Sequence, residues 1–278
     1  ARQTLWALSG AALVAQTGAD RTVYDLSFLP REGDRRILDL DADGRPDVVH
    51  RTSTNFEGSY VFFRTPEAQR GADDAIPSVG PRPGPANTAL RLSGNQIEHD
   101  YVDLNGDGRL DFVATTIDVD GKNAVAALTS GRVRAKTRAF INRSGSAAKR
   151  WFAAEADATV TSDVGVRILW TYAGQLDVQR QLTIIVDGDF DGDGRLDLAI
   201  RTDAKTLTIW SGRPEGGWSA KGRAVPIPPL GAYANIEGYA YDADGDGKDE
   251  VFLLYRAVHR DGSGTETRER LFLVSPAK

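Results

Sequence analysis

The chain reads as an all-β protein built from a repeated strand–loop–strand unit. Three observations predict this. Four short acidic loops share one layout. Runs of β-branched and aromatic residues of strand length flank each loop. No segment holds a 3.6-residue apolar period for three turns, so long helices are not expected.

The loops come first because the strands are placed by them. The clearest runs Asp189-Phe190-Asp191-Gly192-Asp193-Gly194-Arg195-Leu196-Asp197. Its counterparts place Asp39, Asp41, Asp43, Arg45 and Asp47 in the first loop, and Asp103, Asn105, Asp107, Arg109 and Asp111 in the second. The fourth holds Asp242, Asp244, Asp246, Lys248 and Glu250. Oxygen side chains thus stand at positions 1, 3, 5 and 9, Gly at 6 and a basic residue at 7. Alternate residues of a curled loop point inward, so positions 1, 3 and 5 converge. Gly permits the sharp turn, position 7 turns its backbone carbonyl inward, and position 9 closes the cage. An all-oxygen set without His or Cys argues for calcium over zinc or copper, and magnesium would keep more water. A helix–loop–helix calcium site needs Glu at position 12. That position holds His50, Ala114, Ile200 and Leu253. Asp and Gly are ordinary turn residues, but four loops with one ligand layout are not explained by turn chemistry alone.

The flanks then give the elements in order. Residues 1–30 predict one or two strands, Thr4–Leu8 and Thr22–Leu29, ended by Pro30. The mildly apolar Leu5–Ala15 resembles a signal-peptide remnant, but Ser9-Gly10 interrupts it, and a strand is the better reading. Similar Ser-Gly strand ends are read at Ser93-Gly94, Ser130-Gly131 and Ser211-Gly212. The first unit, near 33–65, has strands Arg36–Asp39, Val48–Thr52 and Tyr60–Arg64 about its loop. The Pro- and Gly-rich stretch 76–87 is read as an excursion within one domain, because the repeat resumes after it. The second unit, near 89–130, runs from Ala89 to a strand at Ala124–Thr129. The third lies near 182–212 with Thr206–Trp210, and the fourth near 234–276 with Arg270–Val274. Ile97-Glu98 and Ile236-Glu237 stand at equal distances before their loops, so the repeat extends beyond the ligands. First ligands are 64, 86 and 53 residues apart. The longest interval holds Val164–Tyr172 and Asp177–Gln181, read as a loop-less partial unit or a long hairpin.

Strand, Asp-x-Asp/Asn-x-Asp-Gly-x-x-Asp/Glu, strand, repeated from about 33 to 276, resembles the FG-GAP/VCBS repeat family. Its relatives include the calcium-binding blades of integrin α-subunit propellers. The resemblance implies one β-propeller domain over 1–278, with four or five blades or more and about four calcium ions. The N-terminal strand Thr4–Leu8 is the natural partner of the C-terminal strands for closing it. The Phe-Gly and Gly-Ala-Pro signatures of integrin blades are not present, so integrin-like ligand binding is not implied.

Composition bounds the function. Net charge is −5, and four divalent ions, adding eight charges, would take it to +3. Nucleic-acid binding is not indicated. There is no Cys and no Met, so no disulfide framework is expected and the chain is read as a processed or excised product. No run approaches ~18 apolar residues, so no membrane span is expected. Calcium sites of this kind work at extracellular concentrations, which points to a secreted or surface location, extracellular or periplasmic. The expected function is a recognition or adhesion module for carbohydrate or protein, with calcium mainly structural. A polysaccharide-degrading enzyme on the same frame, and a scaffold domain of a larger secreted protein, are the alternatives.

Arg132, Arg134, Lys136 and Arg138 alternate along Gly131–Phe140 and share a strand face. An outer strand guarded against edge pairing is preferred over a stripe for an acidic polysaccharide, lipopolysaccharide or other anionic partner. His50, His99 and His259 read as scattered surface or loop histidines. Among Trp6, Trp151, Trp170, Trp210 and Trp218, Trp210 reads as core and Trp218 as the exposed one that a sugar could stack on. No catalytic residue is assigned.

Overall fold

The computed structural model describes residues 4–9, 12–17, 20–27, 29, 32–53, 57–64, 88–118, 120–144, 150–170, 176–180, 183–229, 235–261 and 264–276. It is all-β, with five antiparallel sheets. The first holds β1 (Thr4–Ser9), β2 (Ala12–Thr17) and β3 (Asp20–Asp25). The second holds β4 (Asp34–Leu38), β5 (Asp47–Ser53), β6 (Glu57–Phe63) and β7 (Thr88–Ser93). The third is five-stranded, with β8 (Asn95–Val102), β9 (Asp111–Ile117), β10 (Arg132–Phe140), β11 (Ala158–Trp170) and β12 (Leu176–Arg180), and α1 (Gly121–Ser130) lies between β9 and β10. The fourth holds β13 (Ile184–Gly188), β14 (Asp197–Asp203), β15 (Thr206–Trp210) and β16 (Arg223–Pro226). The fifth holds β17 (Asn235–Tyr241), β18 (Glu250–Asp261) and β19 (Gly264–Val274). Every sheet runs in chain order, each strand pairing with the next.

Four apolar layers join successive sheets. Leu13 and Tyr24 meet Val48 and Phe63; Tyr60 and Phe62 meet Phe112 and Phe140. Val113 and Val133 meet Leu198 and Trp210; Ile185 and Leu207 meet Val251 and Leu253. The strand after each of the first three acidic loops is buried on both faces. Val48 and Val49, Val113 and Ala114, and Leu198 and Ala199 each face different layers, because side chains alternate along a strand. Such strands need continuous apolar runs, which is why they are legible in sequence.

Several expectations are corrected. Thr88–Ser93 pairs with β6 and completes the first loop-bearing sheet; it does not open the second unit. The intervening stretch 76–87 lies outside the described residues. Residues 124–129 are helical, not a strand, and Ser130-Gly131 ends a helix. Asp120 caps α1 by accepting the Asn123 N–H at 2.7 Å, and Gly131 ends it with φ 64°. Three alanines and a leucine between those caps favour the helix. The N-terminal segment forms three strands, not one or two. β1 pairs with β2, not with the C-terminal strands, since a hairpin closes a far shorter loop than the whole chain would. β11 and β12 pair antiparallel, which widens the third sheet and lengthens the interval between the second and third loops.

The basic strand is β10, and it lies between β9 and β11. It therefore guards no edge. Trp218 is 3% exposed, folded back so that it bridges Gly212, and is not a stacking platform. Trp151 and Trp210 are buried too; the side chains of Trp6 and Trp170 lie outside those described. His50 and His99 are on strands rather than loops. His50 is buried, with Nε2 3.0 Å from the Glu32 carbonyl; the His259 side chain is not described. His99 is half-buried on β8, its ring centroid 5.6 Å from that of Tyr60.

Burial pushes the pKa of His99 down to about 4, helped by Arg51 and Arg36. The folded protein holds it neutral, whereas the unfolded chain protonates near pH ~6.5. The unfolded state thus binds more protons between those values, and stability is lost as pH falls from ~6.5 towards 4. His99→Gln should lose less melting temperature than the parent between pH 7 and 5. Equal losses would contradict this assignment.

Candidate metal centre

Each acidic loop joins the first strand of its sheet to the second: β4 to β5, β8 to β9, β13 to β14 and β17 to β18. Position 1 organises the loop. Asp39 accepts the N–H groups of Asp43 and Gly44, at 3.1 and 2.9 Å. Asp103, Asp189 and Asp242 accept the matching pairs in their own loops. Position 5 accepts the N–H of position 7 in all four, at 2.9–3.0 Å. These bonds curl the backbone until the acidic side chains face one another.

That curl needs left-handed backbone at two positions. Gly at position 6 has φ of 80–83° throughout. Position 4 is left-handed as well: Gly106, Gly192 and Gly245 have φ of 71–78°, and Ala42 has φ 56°. The sequence reading found the first glycine and missed the second, although three of the four loops display it. Ala42 bears a steric cost that its counterparts avoid. Ala42→Gly should stabilise by about 0.5–1 kcal/mol, after allowing for the extra freedom glycine gives the unfolded chain. A rise in the urea midpoint would report it, and a fall would contradict it.

In three loops, carboxylate oxygens of three residues lie within 4.8 Å of one another: Asp39, Asp41 and Asp43; Asp189, Asp191 and Asp197; and Asp242, Asp244 and Asp246. Each of these clusters could hold a metal ion. In the second loop, Asn105 takes one of the acidic places; its amide oxygen accepts the Asp107 N–H at 3.2 Å. The first loop adds a sharper signal. The Asp41 side chain is 4% exposed, and its Oδ1 is buried without a hydrogen-bond partner. A buried, unsatisfied carboxylate oxygen is costly. A cation among Asp39, Asp41 and Asp43 would satisfy it, so the residues fit the ion.

Position 9 has a second task. Asp47, Asp111, Asp197 and Glu250 are 0–5% exposed, and each accepts the N–H of position 2 at 2.9–3.0 Å. Burial raises the pKa of Asp47 to about 8 and those of Asp111 and Asp197 to about 6, with neighbouring loop carboxylates adding to the rise. Position 7 brings its side chain to the loop. The guanidinium groups of Arg45, Arg109 and Arg195 pair with Asp43, Asp107 and Asp193. An arriving cation therefore competes with an internal one for the position 5 oxygen. Lys248 differs, its side chain lying against Gly192 of the third loop.

Residues beyond the loops complete these sites, and the sequence reading missed them. They follow the third strand of each sheet. Arg64 pairs with Asp41; the Asn142 N–H donates to Asp111 at 2.7 Å. The Gly212 N–H donates to Asp197 at 2.7 Å, and the Ser211 hydroxyl to Asp191 at 2.9 Å. Ser275 reaches Glu250 at 3.4 Å. The Ser211-Gly212 strand end was a visible cue. Loops of adjacent sheets are also tied together: Leu110 N–H donates to the Leu40 carbonyl at 3.0 Å, and Asp249 N–H to the Asp189 carbonyl at 2.8 Å.

Glu98 and Glu237, the repeated acids, come together away from the loops. With His99, Asp100, Thr183 and Tyr239 they line a cavity of 380 Å³ where β8, β13 and β17 meet. Glu237 pairs with Arg256 and accepts the Tyr239 hydroxyl at 2.8 Å.

No curated protein matches the chain. A family model described as FG-GAP-like repeat matches residues 189–253, from the first ligand of the third loop into the strand after the fourth. Residues 189–253 are thus similar to FG-GAP-like repeats, and the loop layout seen there recurs at Asp39 and Asp103.

Proposed function

We propose that this chain is a calcium-binding β-propeller, secreted or surface-exposed, that recognises carbohydrate or protein, its ions serving mainly to pin the sheets. The observation that carries the reading is the buried, unpartnered Asp41 Oδ1 beside Asp39 and Asp43. Hard oxygen donors in a flexible loop suit calcium. Ligands are Asp39, Asp41, Asp43 and Asp47 and their counterparts in the other loops, with the carbonyls of Arg45, Arg109, Arg195 and Lys248. Five sheets packed face to face in chain order support a propeller, in which each sheet is a blade. Modules of this type bind calcium at ~0.1–1 mM, which supports a location outside the cytosol.

A second reading has one observation in its favour. An enzyme needs acidic groups converging in a cleft, and Glu98 and Glu237 share the cavity between β8, β13 and β17. Glu237 is engaged by Arg256 and by the Tyr239 hydroxyl, which suits a structural or binding acid better than a free acid–base group. A glycan and protein array, run with calcium and with chelator, tests both. Binding that chelator abolishes is the expected result. No binding, but depolymerisation of an arrayed polysaccharide, would overturn the recognition reading in favour of the enzyme.

A further inference from the structure

The third sheet carries a groove that the calcium loops do not use. Its floor is the outward face of β10 and its wall is α1, the one α-helix among the described residues. The groove encloses 460 Å³. Lys122 on the helix and Arg132, Arg134 and Lys136 on the strand line it. Arg132 and Arg134 are exposed and Lys136 is half-buried, while Val133 and Ala135 between them face the core. The alternation of a strand thus puts three cations in a row, ~7 Å apart along the floor.

We propose that this groove binds an acidic polysaccharide, through the carboxylate or sulfate groups its sugars carry. The inference rests on the recognition reading above and names its ligand class and site. Acids also line the groove, but each is engaged. Asp120 caps the helix. Asp118 holds Lys136 at 2.7 Å. Asp163 stands 3.9 Å from Arg134, at the loose end of an ion pair, and both are more than half exposed. Four cations therefore face three acids, two of which are committed to the fold. Arg132 donates to the Thr202 carbonyl at 2.8 Å and Lys136 is held by Asp118, so Lys122 and Arg134, on a helix and an interior strand that guard no edge, are the cations a ligand would engage first. A concave site favours a chain of sugars over a lipid surface, because the cations sit on the floor. The helix side chains that line the groove are Lys122, Asn123, Ala126 and Ser130. The exposed apolar Val125 and Leu128 lie on the opposite side of the helix, from the 3.6-residue turn.

The test is calorimetric titration of the whole chain in millimolar calcium. The probes are oligosaccharides of chondroitin sulfate, which carry sulfate and carboxylate, of hyaluronan, which carry carboxylate only, and neutral cello-oligosaccharides. Either acidic probe should bind, more weakly as salt rises, and the pair tells sulfate from carboxylate recognition. Lys122→Gln with Arg134→Gln should cost on the order of tenfold or more in affinity, since each removes a charge-assisted bond, with the melting temperature unchanged. Binding unaffected by the double substitution overturns the groove. So does binding to anionic phospholipid vesicles with no acidic probe bound. Binding of the neutral probe alone also overturns it, but leaves the recognition reading standing; that reading fails only on the array.

Discussion

Chelating calcium should lower the melting temperature by on the order of 20 °C, and millimolar calcium should restore it. The size follows from linkage. An ion present at ~100 times its dissociation constant adds ~2.7 kcal/mol per site, and four loops share the layout. For a chain of this length, 1 kcal/mol moves the midpoint by roughly 2 °C. The direction follows from the loops. Each converges like charges that a cation would neutralise, and Asp41 Oδ1 has neither a hydrogen bond nor solvent. Magnesium at the same concentration should restore less, because it demands tighter octahedral geometry and gives up water reluctantly. Differential scanning calorimetry in calcium, magnesium and chelator reads all three. An identical melt with and without chelator would overturn the metal reading.

What sequence disclosed about this protein divides by range. The loops were legible because ligand, turn and strand signals fall within nine residues, and four copies could be compared. The strands after them were legible because burial on both faces demands unbroken apolar runs, as in Phe112-Val113-Ala114 and Leu198-Ala199-Ile200. The strand at Thr88–Ser93 was assigned to the wrong unit, since pairing partners separated by an excursion leave no local mark. The helix α1 was missed because ten residues fall short of three turns, although its Asp120 and Gly131 caps are plain once sought. Trp218 was misjudged because a Gly-Gly turn signals a bend without saying which way it returns.

The same limit applies within the sites. Position 9 was read as a ligand only, and the structure gives it a second task as a clamp. Asp111 and Asp197 each give both oxygens to backbone donors from two different segments, while an Asp197 oxygen also lies within 4.8 Å of those of Asp189 and Asp191. The segment after the third strand, which supplies one of those donors, lies 15 residues past Asp197 and 31 past Asp111. No fixed spacing exists there for a motif to reveal.

Asp197→Ala should therefore destabilise the protein whether calcium is present or not. Asp197 is fully buried; its Oδ2 accepts the Phe190 N–H at 2.9 Å and its Oδ1 the Gly212 N–H at 2.7 Å. Alanine leaves two buried donors without partners, at ~1–3 kcal/mol each, so the loss should be about 2–6 kcal/mol in chelator. Asp193→Ala makes the useful contrast. Asp193 is exposed at position 5, and its fold-internal partners are the Arg195 N–H and guanidinium in the same turn. Its removal should cost ~2.7 kcal/mol in saturating calcium, from the lost ligand, and little in chelator. Urea denaturation of the parent and both variants, in each condition, separates the roles. If Asp197→Ala matches the parent in chelator, the clamp is not holding the loop to the third strand. If Asp193→Ala matches the parent in calcium, the third loop does not bind the ion. The clamp also explains why position 9 tolerates Glu250 in place of Asp. Its clamp task is to reach the position 2 N–H, which the longer side chain does at 3.0 Å.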